Sequence, residues 1–184
     1  MMRHFSRPTL FALAFSILSP SIALSVHAPT ILTDQSKLAT NGIGGVRVGM
    51  TVSEAARAAG VQLVGEADKS NPGCYHVKPR TNPQGIGFMV TDGRIARVSV
   101  WQNRQITTLS GAKIGDSEAR IRSLYPGRIQ VTPHTYVRQG HYLTFVPKDA
   151  SDRNYRVVFE TDGQKVTRFH AGKLPEVEYV EGCS

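Results

Sequence analysis

No stretch after residue 25 of this 184-residue sequence is apolar for the roughly 20 residues that a helix needs to cross a bilayer, so no transmembrane segment is expected. The signatures of several chemistries are missing too. There is no Gly-x-Ser-x-Gly elbow for a serine nucleophile. No two histidines stand at His-x-x-x-His spacing and no Glu-x-x-His occurs, so a metal site would have to gather ligands from separate strands. Gly42-Ile43-Gly44-Gly45 lacks the third glycine and the βαβ setting of a dinucleotide fingerprint. Glu118, Glu160, Glu178 and Glu181 have no spacing that singles out a glycosidase pair. Neither an aromatic-rich RNA-binding strand nor a basic helix is present, so no nucleic-acid partner is expected, and no cofactor or metal either.

The first 25 residues are of a different kind from the rest. Met1–Arg7 is basic and Leu10–Leu18 is apolar over a secretory rather than a membrane-spanning length. Ala23 and Ser25 stand at the −3 and −1 positions of a cleavage site, which predicts a signal peptide over 1–25 and a mature start at Val26. With no cysteine near that junction there is nothing to lipidate. The expected location is periplasmic or secreted, as a soluble protein. The formal charge of +8 falls to +6 when Arg3 and Arg7 are removed. Because Arg47, Arg57, Arg97, Arg122, Arg138 and Arg168 form no run, the excess reads as a solvated basic surface with at most weak contact to anionic surfaces.

Cysteine is scarce, and its two copies suit that compartment. Cys74 and Cys183 are an even pair in an oxidising setting, so a disulfide is expected, which would lock the C-terminal tail onto the first half. The rival reading is a thiolate at Cys74 served by His76, two residues along a strand and so on the same face.

Two segments occur twice in the same order. Gly45–Thr51 returns as Gly111–Ser117, and Thr91–Val98 returns as Thr161–Phe169 with one insertion. This predicts tandem units, with a leader and first α+β repeat over 26–108 and a second α+β repeat over 109–184. Thr51-Val52-Ser53-Glu54 is a capping box that should start a helix, and Gly60 should end it. Asp116 or Ser117 should start the second helix, which Pro126-Gly127 stops. Strand-like runs follow each helix: 62–64, 74–77, 86–90 and 95–101, then 128–131, 140–146, 155–160 and 166–170. Asp92-Gly93 and Asp162-Gly163 mark hairpins. The predicted fold class is α+β, each repeat a short capped helix packed on an antiparallel β-meander, the two copies packed together. Residues 26–41 read as a polar leader with one edge strand, and Gly42–Gly45 as a flexible entry.

An apolar strand, Val46-Arg47-Val48-Gly49-Met50-Thr51 with Glu54, then antiparallel strands, repeated more weakly from Ile114-Gly115-Asp116-Ser117, resembles the β-lactamase inhibitory protein architecture. It also resembles the SmpA/OmlA-type small lipoproteins of outer-membrane assembly. The likeness implies a duplicated envelope protein that binds other proteins. It departs from the inhibitors in having one cysteine per repeat and from the lipoproteins in lacking a lipidated cysteine. The tail Glu176–Cys183 is similar to those of bacterial periplasmic proteins, which implies compartment and no activity.

The densest polar-aromatic cluster lies in a predicted hairpin at Pro133–Tyr142. His134, Tyr136, Arg138, His141 and Tyr142 are the candidate partner-binding residues, since interfaces favour Tyr and Arg. Trp101 is a secondary candidate, although burial against a helix is its expected fate. The function expected is a secreted binding module gripping a protein partner through a sheet face or hairpin, as an inhibitor or assembly factor does. Its rival is a small envelope hydrolase acting on cell-wall or glycan substrate.

Overall fold

A computed structural model describes residues 1–2, 31–65 and 71–183; the segment expected to be a signal peptide, with its expected cleavage site, lies outside the described residues, apart from Met1 and Met2. In chain order the elements are β1 (Lys37–Ala39), β2 (Gly42–Ile43), β3 (Val46–Arg47), α1 (Val52–Ala59), β4 (Leu63–Val64), β5 (Cys74–Pro79), β6 (Ile86–Thr91), β7 (Arg94–Val100) and β8 (Thr107–Thr108). They continue as α2 (Glu118–Leu124), β9 (Ile129–Pro133), β10 (His141–Phe145), β11 (Tyr155–Thr161) and β12 (Val166–Lys173). The fold is mixed α and β with mostly antiparallel sheets.

Both helices start as their capping residues dictate. Thr51 Oγ1 accepts from the Glu54 amide at 3.3 Å, while the Glu54 carboxylate accepts from the Thr51 amide at 2.8 Å. Gly60 closes α1 in the left-handed conformation, φ 65°. Ser117 caps α2 through the Arg120 amide. At Asp92-Gly93 both residues take positive φ, 50° and 73°, as a tight hairpin between β6 and β7 requires.

Among the described residues eight strands form one sheet in the order β4-β5-β6-β7-β12-β11-β10-β9. Its two halves meet where β7 pairs antiparallel with β12, Val100 opposite Phe169 and Arg97 opposite Gly172. One face carries Phe88, Val98, Phe169, Phe159 and Leu143, which pack with Ala55 and Ala59 of α1 and with Ile121 of α2. The contacts that seat each helix start recur. Gly49 donates to Ile95 O and Ile95 to Met50 O, both at 2.8 Å; Gly115 donates to Val166 O and Val166 to Asp116 O, both at 2.9 Å. Gly49 and Gly115 share a φ near 90°.

Residues before α1 differ from expectation. Gly42–Ile43 is a buried strand rather than a flexible entry, and β3-β2-β1-β8 form a second, four-stranded sheet in which β1 runs parallel to β8. Leu38 and Ile43 give these short strands their anchor, since both are fully buried.

Candidate partner-binding face

Alternation along the strands sends a different set of side chains to the face away from the helices: His76, Arg97, Ser99, Arg168, His170, Val158, Glu160, Tyr142, Thr144, Gln130 and Thr132. Residues Leu174–Cys183 cross this face as a strap. The Cys74–Cys183 disulfide closes it, with Cα atoms 5.3 Å apart, so neither sulfur is a free thiolate. Asn71 adds a hydrogen bond to the Cys183 carbonyl at 2.8 Å.

The sheet holds the strap through its own polar groups. Arg97 Nη1 donates to the carbonyls of Tyr179 (2.8 Å) and Glu176 (3.4 Å), and His170 Nε2 donates to Val177 O (2.9 Å). Val177 is fully buried beneath these bonds. Burial works to raise the Glu176 carboxyl, but bonds from Lys173 and Thr91 at 2.9 Å outweigh it and hold the group below the usual carboxylate range. Arg97 Nε and Glu176 Oε2 are buried without a hydrogen-bond partner among the described residues. Burial and then the Arg97 charge push His170 down to about 3, and the same two causes lower His76.

Glu160 is the hub of the face. Its Oε2 lies 3.3 Å from His134 Nε2 and 3.5 Å from Arg168 Nε, and its Oε1 lies 3.6 Å from His170 Nδ1. His134 Nδ1 accepts from the amides of Tyr136 (3.0 Å) and Val137 (3.2 Å), which assigns the proton to Nε2. With both nitrogens engaged, His134 has no free lone pair to take a proton from a substrate, and the Nδ1 lone pair of His170 is buried beside Arg97 and under the strap, where protonation is disfavoured.

The candidate residues therefore separate. His134 and Tyr142 meet, with rings stacked at 4.4 Å and 19°. Tyr136 is 63% exposed at the loop tip, where its hydroxyl donates to Glu181 of the strap, and this bond raises its pKa. Arg138 is exposed two residues further along the same loop. His141 is not part of this group: next to Tyr142 on one strand, it must point to the opposite face, where its Nδ1 lies 2.8 Å from Glu118. Trp101 is not buried against a helix either. It stays 37% exposed, its indole lying over Gly87, where an added Cβ would come within 3.0 Å of the ring. Glu160, Arg97 and His170 as one cluster were not visible in sequence, because they come from three strands.

The strap divides the face into two grooves. One, about 360 Å³, lies toward β9–β11, with Tyr142, Val158 and Glu160 below and Val177–Val180 as wall. The other, about 220 Å³, lies toward β7 with Arg97, Ser99, Trp101 and Arg168. A larger hollow of about 490 Å³ lies elsewhere, between Leu38, Leu109 and the end of α2. Among the described residues no three His, Cys, Asp or Glu side chains gather as metal ligands, and no helix is long and apolar enough to cross a membrane. No protein-family model matches the chain, and no curated protein matches it.

Proposed function

We propose that this chain is a periplasmic or secreted binding module, built from two copies of one α+β unit, that grips a protein partner through its strap-side face. The observation that carries this reading is where exposed apolar side chains sit. Tyr136, Val137, Tyr179, Val180 and Trp101 are exposed on or beside the strap, whereas Ile31, against Gly60, and Leu109, at the hollow beside Leu38, are exposed apart from it. Tyr136 reaches Glu181, and Val180 borders both grooves, so the five form one ridge flanked by Arg138 and Arg168. A ridge of this kind, rimmed by polar groups, marks an interaction surface. The duplication is supported by the matched contacts of Gly49 and Gly115, and the resemblance to the inhibitory-protein and SmpA/OmlA-type architecture belongs to the same reading.

A photo-crosslinking residue at position 138 tests it in intact cells. A discrete protein adduct is expected there and not from position 57 on the exposed side of α1. Alanine at Tyr136 and Arg138 should weaken that partner about five- to thirtyfold. No adduct at 138, or affinity unchanged in the double variant, overturns the proposal.

A second reading, a small envelope hydrolase, draws on one observation. Glu118 holds His141 Nδ1 and leaves its Nε2 without a hydrogen-bond partner among the described residues. The nearby hydroxyl of Thr161 donates to the same Glu118 oxygen at 2.6 Å rather than to the histidine, so no nucleophile is activated. Hydrolysis of peptidoglycan fragments that is lost in His141→Ala would favour this reading.

A further inference from the structure

We infer that the groove between the strap and β9–β11 is a binding site for a short, uncharged oligosaccharide. Its floor is the face of a sheet, so the backbone groups there are already consumed by the ladder of strand pairs. A ligand lying on it can be recognised only by side chains. An extended peptide relies on main-chain hydrogen bonds, and across this floor it meets side chains instead, with main-chain partners only along the outer edge of β9.

Beside the apolar Val158, Val177 and Val180, four of the lining side chains are polar and uncharged. Gln130, Thr132, Thr135 and Thr144 line the groove, and none of their side chains has a hydrogen-bond partner among the described residues. Each offers both a donor and an acceptor without charge, which suits the hydroxyl groups of a sugar. Two phenol rings stand by. One face of Tyr142 is taken by His134, and Tyr179 is exposed on the wall, giving a flat apolar surface for the C–H face of a sugar ring.

Charge narrows the class further. The charged residues lining this groove are Glu160 and Glu178, with no lysine or arginine among them. Glu160 is paired with the Arg168 guanidinium and accepts a hydrogen bond from His134, whereas Glu178 is exposed and would repel a uronic acid. The volume of about 360 Å³ lies at the small end of ligand pockets, which fits a short oligomer and excludes a folded domain.

The test uses the oxidised protein from Val26 onward, titrated with chitotetraose and maltotetraose as neutral probes and tetragalacturonate as the anionic one. Amide shifts followed by NMR should map to β9, β10 and the strap for a neutral probe, with tetragalacturonate much weaker. The double variant Thr132→Val, Thr144→Val keeps side-chain shape and removes two hydroxyls that make no bond in the fold. It should bind about tenfold more weakly. Tyr179→Ala, in an exposed position, should weaken binding as well and guards against a floor variant that misfolds. Failure of both neutral probes to shift groove amides, equal binding of tetragalacturonate, or full affinity in Tyr179→Ala overturns the inference. These outcomes are independent of the crosslink at position 138, which reads the protein partner.

Discussion

His170 donates from Nε2 to the carbonyl of Val177 at 2.9 Å, so a single neutral imidazole fastens the strap to the middle of the sheet. At 3.6 Å its Nδ1 is too far from Glu160 for a hydrogen bond, and burial with the neighbouring Arg97 charge keeps the ring uncharged. In the unfolded chain the same ring titrates near 6.5 and in the fold near 3, so the unfolded state binds the extra proton between those values. Stability should therefore fall as pH drops through that window, by up to about 1.4 kcal/mol per pH unit for this group. His76, lowered by the same two causes, acts in the same sense. His170→Gln keeps an amide donor for Val177 and cannot titrate. Urea midpoints should show the wild type losing ground to this variant between neutral pH and about 4. A constant gap would mean the ring is not held neutral.

Cys74 and Cys183 are 109 residues apart, and closing a loop of that length is worth about 4 to 5 kcal/mol in the chain-entropy account. Replacing both by serine should lower the thermal midpoint. The loss should begin locally. The amides of Glu178, Tyr179 and Gly182, bonded only within the strap, should exchange faster with solvent, while those of β6 and β7 hold. Hydrogen exchange that rises equally in strap and sheet would show that the strap has no separate latch.

How far the fold could be read from sequence depends on how local each cause is. Thr51 with Glu54, Gly60, Ser117 and Asp92-Gly93 act within a few residues, and the helices and hairpins fall where those residues place them. The small sheet was hidden because β2 and β3 have two residues each, too few for a period, and Lys37 finds Thr107 from 70 positions away. The face under the strap was hidden for another reason. Strand β7 is buried almost without a break, because helices cover one side and the strap the other, and a strand covered on both sides loses its alternation. His141 and Tyr142 are neighbours in sequence yet point to opposite faces. Clustering along a strand is therefore a poor guide to clustering in space.

The two helix starts should respond alike to loss of their caps. Thr51→Ala removes the acceptor for the Glu54 amide and the hydroxyl contact to its carboxylate; Ser117→Ala removes the acceptor for the Arg120 amide. Each should cost about 1 kcal/mol, with Thr51→Ala the larger because a reciprocal box is lost. The sites share no partner, so the double variant should lose the sum to within about 0.5 kcal/mol in denaturant titrations. A cost near zero at either position would mean that packing alone sets that helix.

The sharpest test of the continuous sheet is at Gly172. Here β12 meets β7 opposite Arg97, and a Cβ would stand 2.4 Å from the Ala96 carbonyl oxygen and 2.8 Å from the Arg97 Cα. Both are backbone atoms of a central strand and cannot rotate away. Gly172→Ala must therefore push apart the seam between the two halves, and with it the Arg97 guanidinium that holds Tyr179 O. Overpacking of this kind costs about 1 to 3 kcal/mol, and the upper end is expected because no flexible side chain can yield. Gly73 supplies the control: a Cβ there meets nothing within 4 Å and its backbone needs no positive φ. Gly73→Ala should leave stability within about 0.5 kcal/mol of the wild type. Equal midpoints for the two variants in urea would show that the strands at the seam are not closely apposed, and the eight-stranded sheet would then have to be two separate ones.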